Sequence, residues 1–347
     1  MVYASSYAEV FEDAKGYGWS VGGTSFEWRK LIAAKDVEIA RLEAIYAKNL
    51  TAAGADMYAA RAMLVDAHTV KLSTGETFTT KHILIATGGT PFVPKIEGHE
   101  HVISSNEIFH LEEQPKRFLV VGGGYIACEF ACIMNGLGSK VTQYYRGEQI
   151  LRGFDNEVQG FVAEEIREKG VDLHVGTDVQ SIKKTADGLV VTNTHGKVVV
   201  VDQVLYATGR VPSTQGLGLE NTGVELGHKG EILVDGYSQT NIPSIYAVGD
   251  VTNRVNLTPV AIVEGAAFVD TVFHGKPTQP DHELIATAVF TQPEIGTVGM
   301  GEEEALKSED IEVYRAAFRP MAHILPNKSE RMLMKLIVSK ANRKVLG

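Results

Sequence analysis

The chain has 347 residues, 44% of them hydrophobic, with 33 basic against 43 acidic side chains and a formal net charge of −10. That length predicts two or three domains, and the negative balance argues against a nucleic-acid or anionic-membrane partner, because both need a basic face. No apolar run reaches the roughly 18 residues that span a bilayer, the first residues lack the basic-then-apolar order of a signal peptide, and two cysteines make no disulfide framework, which fits a reducing cytosol.

In chain order, residues 4–15 read as a short amphipathic helix. The stretch "GGTSFEWRKLIAAKDVEIARLEAIYAKNL" predicts a long one, with Thr24 and Glu27 as a capping box. Leu31, Ala34, Ile39, Leu42, Ile45 and Tyr46 recur at helical spacing and predict a buried face. Short β-like segments follow, then "KHILIATGG", whose continuous apolar run predicts a strand buried on both sheet faces. From Arg117 the pattern becomes strand, glycine turn, helix, strand, helix, strand: "RFLVVGGG", "YIACEFACIMNGLG", "KVTQYY", "NEVQGFVAEEIREKG", "VDLHV". Such a β-α-β-α-β unit demands a parallel sheet with right-handed crossovers. Three alternating strands, "DQVLYATGR" and the buried strand "PSIYAVGDV" come next, and the proline-bearing "HGKPTQPDHELI" marks a boundary before a mostly β region. "HILIATGGTPFVP" and "QVLYATGRVPS" echo each other, which suggests two related nucleotide-binding domains.

Gly122, Gly124 and Ala127 fit G-x-G-x-x-A: a tight turn, a close backbone approach to pyrophosphate, and close helix–strand packing. Residues Gly122, Gly123, Gly124, Tyr125, Ile126 and Ala127 thus bring the amides and positive dipole end of a helix to the phosphates. After the second strand an NAD site usually carries an acid. Here "YYRGEQILRGFD" offers Arg146 and Arg152, whose planar forks suit a 2′-phosphate, so NADP is favoured although Glu148 lies close by. Cys128 and Cys132 stand at i and i+4 of the helix, with Cβ atoms about 5–6 Å apart, too far for an unstrained bridge. They read as small hydrophobes.

With these segments and "YYRGEQILRGFD", "SIYAVGDVTNRVNLTPVAI", "VFTQPEIGTVGM" and "YRAAFRPM", the chain resembles the flavin-dependent disulfide reductases along its whole length, most closely the glutathione-reducing branch. The resemblance implies an α/β fold with two Rossmann-like dinucleotide-binding domains, the FAD domain incomplete, plus a truncated α+β dimerisation domain. Its expected divisions are residues 1–89 as the remainder of the FAD domain, 90–211 for NADP, 212–281 as a second FAD/central part, and 282–347 for dimerisation. The implied cofactors are FAD and NADPH, the implied partners glutathione disulfide and a second copy of the chain, and the implied location cytoplasmic.

Residue by residue, the resemblance implies that Asp250 holds the ribityl and pyrophosphate part of FAD, that Thr258 lies near the flavin ring, and that Thr87, Gly88 and Ala62 approach FAD. Tyr125 covers the flavin until nicotinamide displaces it, Glu129 pairs with a lysine beside the flavin, and Arg210 sits near the flavin–nicotinamide contact. Gly209 and Asn256 join the nicotinamide side, and Tyr46 is the tyrosine against which glutathione packs. Lipoamide dehydrogenase usually has an acid where Arg146 stands, and mercuric reductase would need further cysteines. One departure is "VEGAAF" after "LTPVAI", where some members carry a glutathione-contacting arginine. The family's redox disulfide, first glycine motif and His–Glu acid–base pair have no match in this sequence. The expectation is therefore a fragment lacking both ends, with another flavin disulfide reductase such as lipoamide dehydrogenase, or a catalytically silent nucleotide-binding relative, as the alternatives.

Overall fold

The computed structural model describes residues 1–347 and contains six α-helices: α1 (Val2–Gly16), α2 (Trp28–Ala52), α3 (Tyr125–Gly136), α4 (Asn156–Glu168), α5 (Thr258–Val272) and α6 (Glu302–Ser308). The chain divides into two compact units, one of residues 1–33, 91–209 and 286–347, the other of residues 34–90 and 210–285.

The first unit is built on four parallel strands in the spatial order Gln203–Tyr206, Arg117–Val121, Lys140–Tyr145, Asp172–Val175. Strand pleating separates the apolar run of Arg117–Val121 into two faces. Phe118 and Val120 pack with α3 residues Ala127, Phe130 and Met134, with Trp28 and with the start of α1. Leu119 and Val121 pack on the other face against an antiparallel sheet of Val179–Thr185, Gly188–Asn193 and Val198–Val201. All four strand residues are at most 2% exposed, and each such burial stabilises by about 1.5–3 kcal/mol before entropy is counted. The strand order reverses at Arg117–Val121, with later strands on one side and the last on the other. In open α/β sheets a ligand crevice lies beyond the strand ends at such a reversal, and here that point is the Gly122–Gly124 turn.

The antiparallel pair Ile311–Phe318 and Met332–Ser339 follows α6 in the same unit. Lys335 on its second strand is 7% exposed and reaches Asp155 at 2.9 Å, Glu157 at 3.0 Å and Glu302 at 2.7 Å. Asp155 caps α4 by accepting from the Glu157 and Val158 amides, and it also accepts the Glu302 amide at the start of α6. One buried cation and its carboxylates therefore fix α4, α6 and the strand pair together.

The second unit pairs Ile83–Ile85 with Ile245–Ala247 in parallel over a core of Leu64, Ile85, Leu217, Ile232 and Val251. Three expectations need correction here. Leu84 is 38% exposed, so "HILI" is buried on one face only; its strand has a single neighbour and no covering layer on the Leu84 side. The stripe expected on α2 is largely bare, with Ala34, Ile39, Ile45 and Tyr46 exposed and only Leu31 and Leu42 half-buried. At the N-terminus of this helix Thr24 and Glu27 both precede it, so no capping box forms. Trp28 anchors it instead, 5% exposed and donating from Nε1 to the Leu111 carbonyl at 2.7 Å.

Candidate functional site

Gly122 has φ +140°, a backbone that favours glycine, and a Cβ there would strike the Ala207 carbonyl oxygen. At Gly123 a Cβ would strike the Tyr145 ring, and at Gly147 it would lie 2.6 Å from the same ring. Tyr145 is thus held flat against two glycines at the end of its strand. Gly124 differs: a Cβ there meets nothing within 4 Å. It is the extended N-cap of α3, and no side chain caps the helix. The opening in front of Gly124 therefore faces the first-turn amides and the positive end of the dipole, which favour an anion.

The loop after Tyr145 is tied to this turn. The Leu151 amide donates to the Gly123 carbonyl at 2.6 Å, and the Leu151 side chain is 1% exposed despite a φ of +59°. Backbone in that region is unfavourable for a branched residue and collects at functional sites. The anchored loop leaves Arg146 and Arg152 exposed on the wall of a groove of about 730 Å³. Tyr145 lines it from the strand end and Glu148 from the loop, and Glu303, Glu304 and Lys307 line it from α6. The groove thus carries three cations against three carboxylates. Its α6 wall was not anticipated from sequence, where nothing local links residues 303–307 to residues 145–152. Tyr145 was legible in principle, as the last residue of its strand, two positions before Gly147.

Of the other residues expected on the nicotinamide side, Ile126 and Ala127 lie in the first turn of α3 with Tyr125, and Gly209 follows the last parallel strand. Glu129 is half-buried one turn further along α3, and its carboxylate accepts the Phe290 amide at 3.0 Å. Burial raises its pKa, opposed by that hydrogen bond. Asn256 belongs to the second unit. The cysteines behave as expected: Cys128 is fully buried and Cys132 is 3% exposed, both unbridged among α4 residues Val162, Ala163 and Ile166. Burial pushes the Cys128 thiol up to about 12 and Cys132 to about 11, so neither is a thiolate near neutrality.

The residues expected to hold FAD all fall in the second unit. Thr87 Oγ1 donates to the Ser213 carbonyl at 2.9 Å, and the Ser213 amide donates to the Gly88 carbonyl at 2.9 Å. Arg210 hydrogen-bonds the Gly89 carbonyl and lies 3.8 Å from the Asp250 carboxylate. A Cβ at Gly89 would stand 3.5 Å from Asp250 and 3.6 Å from Arg210, so glycine keeps this corner narrow. Thr258 opens α5 with Pro259 behind it and no capping side chain. An acceptor carboxylate for hydroxyls beside an uncapped helix start is a donor set that fits a flavin dinucleotide. Ala62 is exposed at the start of strand Ala62–Asp66, apart from this hydrogen-bonded set, and Tyr46 is 65% exposed on α2.

A parallel sheet with a glycine turn at its reversal point, and an arginine-bearing groove beside it, defines a dinucleotide-binding α/β protein. Comparison with known proteins carries the assignment further. Residues 4–265 match the family model for pyridine nucleotide-disulphide oxidoreductases, and residues 285–347 match the dimerisation domain of that family. The chain belongs to this family; it is a flavoprotein oxidoreductase sequence whose cofactors are FAD and NADPH. It is 47% identical to a glutathione reductase of Burkholderia cepacia, over 100% of this chain and 77% of that protein, and 45% identical to one from a Nostoc strain, over 100% and 79%. A trypanothione reductase of Trypanosoma congolense is 40% identical over 100% of this chain and 74% of its own length. Among solved structures, an HOCl-induced flavoprotein disulfide reductase from Escherichia coli superposes with a TM-score of 0.85 at 25% identity, covering 97% of this chain and 77% of that one. No helix is long and apolar enough to cross a membrane.

Proposed function

We propose that this chain serves the NADPH-dependent reduction of glutathione disulfide to glutathione, in a cytoplasmic homodimer. The observation that carries the nucleotide half of this reading is the uncapped start of α3 beside the groove that Arg146 and Arg152 line. The Gly122–Ala127 segment holds the pyrophosphate through first-turn amides, and Gly209 borders it. Arg146 and Arg152 grip the 2′-phosphate by charge-assisted hydrogen bonds. Tyr125 stands at the first position of α3, beside those first-turn amides. Glu129 is held by the Phe290 amide, and burial raises its pKa, a shift that a cation placed beside it would oppose.

On the flavin side, Asp250 accepts from ribityl hydroxyls, Thr258 stands at the ring, Thr87, Gly88 and Ala62 border the dinucleotide, and Arg210 braces Asp250. FAD supplies a two-electron carrier between the nicotinamide and a disulfide. Tyr46, on the exposed stripe of α2, is the packing surface for glutathione. Cys128 and Cys132 take no part: burial holds them as thiols and they line the α3–α4 contact.

The test is a titration of the protein with NADPH and NADH, followed by tryptophan fluorescence, for the wild type and the double variant Arg146→Glu, Arg152→Leu. Each lost charged hydrogen bond costs about 1.5–3 kcal/mol, so the variant loses NADPH affinity by roughly tenfold or more per arginine while NADH affinity is spared. An unaltered NADPH affinity overturns the phosphate assignment. Turnover of the full-length gene product with glutathione disulfide against trypanothione disulfide and lipoamide tests the substrate.

A further inference from the structure

Resting on the reading of Asp250 as the flavin-binding acid, we infer that Glu264 is a positioning residue for FAD, its buried carboxylate fixing the Gly249–Asp250 turn through the Gly249 amide. Glu264 stands where the "VEGAAF" departure was noted, on α5, and is 1% exposed. Its Oε2 accepts the Gly249 amide at 2.6 Å. Its Oε1 accepts from Arg254 at 2.9 Å and from His282 Nε2 at 2.7 Å. A buried carboxylate is tolerated only with such donors.

Neutralising Arg254 would explain Oε1 alone. Oε2 is spent on a backbone amide one residue before Asp250. The same turn is held from its other side, since Thr252 Oγ1 donates to the Gly249 carbonyl at 2.8 Å and Arg254 Nε donates to that hydroxyl at 3.3 Å. Arg254 also donates to Ser238 Oγ at 2.9 Å, anchoring the clamp to the core. Gly249 has φ +73°, and a Cβ there would come 3.2 Å from Ala261 on α5. Helix and turn touch too closely for a side chain at position 249 itself, and the turn is held through its backbone amide by an acid reaching from the helix. Hydrogen bonds from Asp250 to a ligand hydroxyl weaken steeply with misplacement, and the position of its backbone is what Glu264 controls.

The experiment uses the full-length gene product stripped of flavin. FAD affinity is read from flavin fluorescence, and hydrogen exchange of the Gly249 amide is read in the flavin-free protein. Glu264→Asp keeps the charge facing Arg254 and His282 but withdraws the acceptor from Gly249. Glu264→Gln keeps the volume and provides a second variant should the first fail to fold. The expected results are FAD binding about tenfold weaker and Gly249 exchange about tenfold faster, with Glu264→Asp adding nothing to the loss caused by Asp250→Ala. Unchanged FAD affinity in both Glu264 variants while Asp250→Ala weakens it, or additive losses in the double variant, overturns the inference and leaves the flavin site standing. If Asp250→Ala itself leaves FAD affinity unchanged, the reading of the turn as a flavin site fails, and the inference fails with it.

Discussion

Gly122 and Gly124 stand two residues apart and respond differently to the same substitution. Gly122→Ala forces a left-handed backbone onto a residue with a Cβ and drives it into the Ala207 carbonyl, so it lowers stability by more than about 1 kcal/mol in denaturant titration. Gly124→Ala meets open space and an extended backbone; its melting temperature is retained while, on the proposed reading of the α3 start as the phosphate site, NADPH binding weakens. The motif made both glycines legible, but not the difference between the packed surroundings of Gly122 and the open space in front of Gly124. The thiols give a second residue-scale expectation. Burial raises the two thiols to about 12 and about 11, so neither Cys128 nor Cys132 reacts with a thiol probe at pH 8 in the native protein, and both react in denaturant. The sign follows: raised folded values leave stability intact below about pH 9 and erode it as pH climbs toward 11–12.

Between elements, the first unit is also tied by ionic clusters that no local pattern announces. Burial draws the Lys335 pKa down, but hydrogen bonds to Glu302, Asp155 and Glu157 outweigh it and raise it above the usual lysine value. Lys335→Met leaves those carboxylates together without their cation and costs on the order of 3 kcal/mol, measured by urea unfolding. It also loosens the loop that carries Arg152. A second cluster docks α1: Glu9 meets Lys169 at 2.7 Å and Lys328, while Lys328 meets Asp13 at 2.9 Å. Burial would raise Glu9, but hydrogen bonds with Glu330, Lys169 and Lys328 bring it to about 2 from 4.5. A depressed carboxylate stabilises above its unfolded value, so this contribution is full above pH 4.5 and fades as pH falls toward 2; Glu9→Gln flattens that part of the melting-temperature profile. The stripe on α2 was misread for a related reason. Periodicity shows that Ile39, Ile45 and Tyr46 share a side of the helix, but says nothing about what packs against that side.

At the scale of the whole chain, what could be read from sequence was what is contiguous: strand, glycine turn, helix, strand. Arg117–Val121 carries an apolar run because both faces are covered, and a run is a local signal. The single-sided burial of Ile83–Ile85 looked the same in sequence and differs only in its neighbours. The groove wall is the clearest case of the non-local remainder, since Tyr145–Asn156 comes from the parallel-sheet core and Gly301–Lys307 from a segment some 150 positions later. This has a practical corollary for anyone cutting the molecule down. A stand-alone dinucleotide module made from residues 91–209 would discard Glu303, Glu304 and Lys307, along with the lysine that tethers them. On the proposed reading of the groove as the 2′-phosphate site, it would be missing one ammonium and two repelling acids, so its appetite for phosphorylated ribose, and the ionic-strength dependence of that appetite, would not report on the parent enzyme.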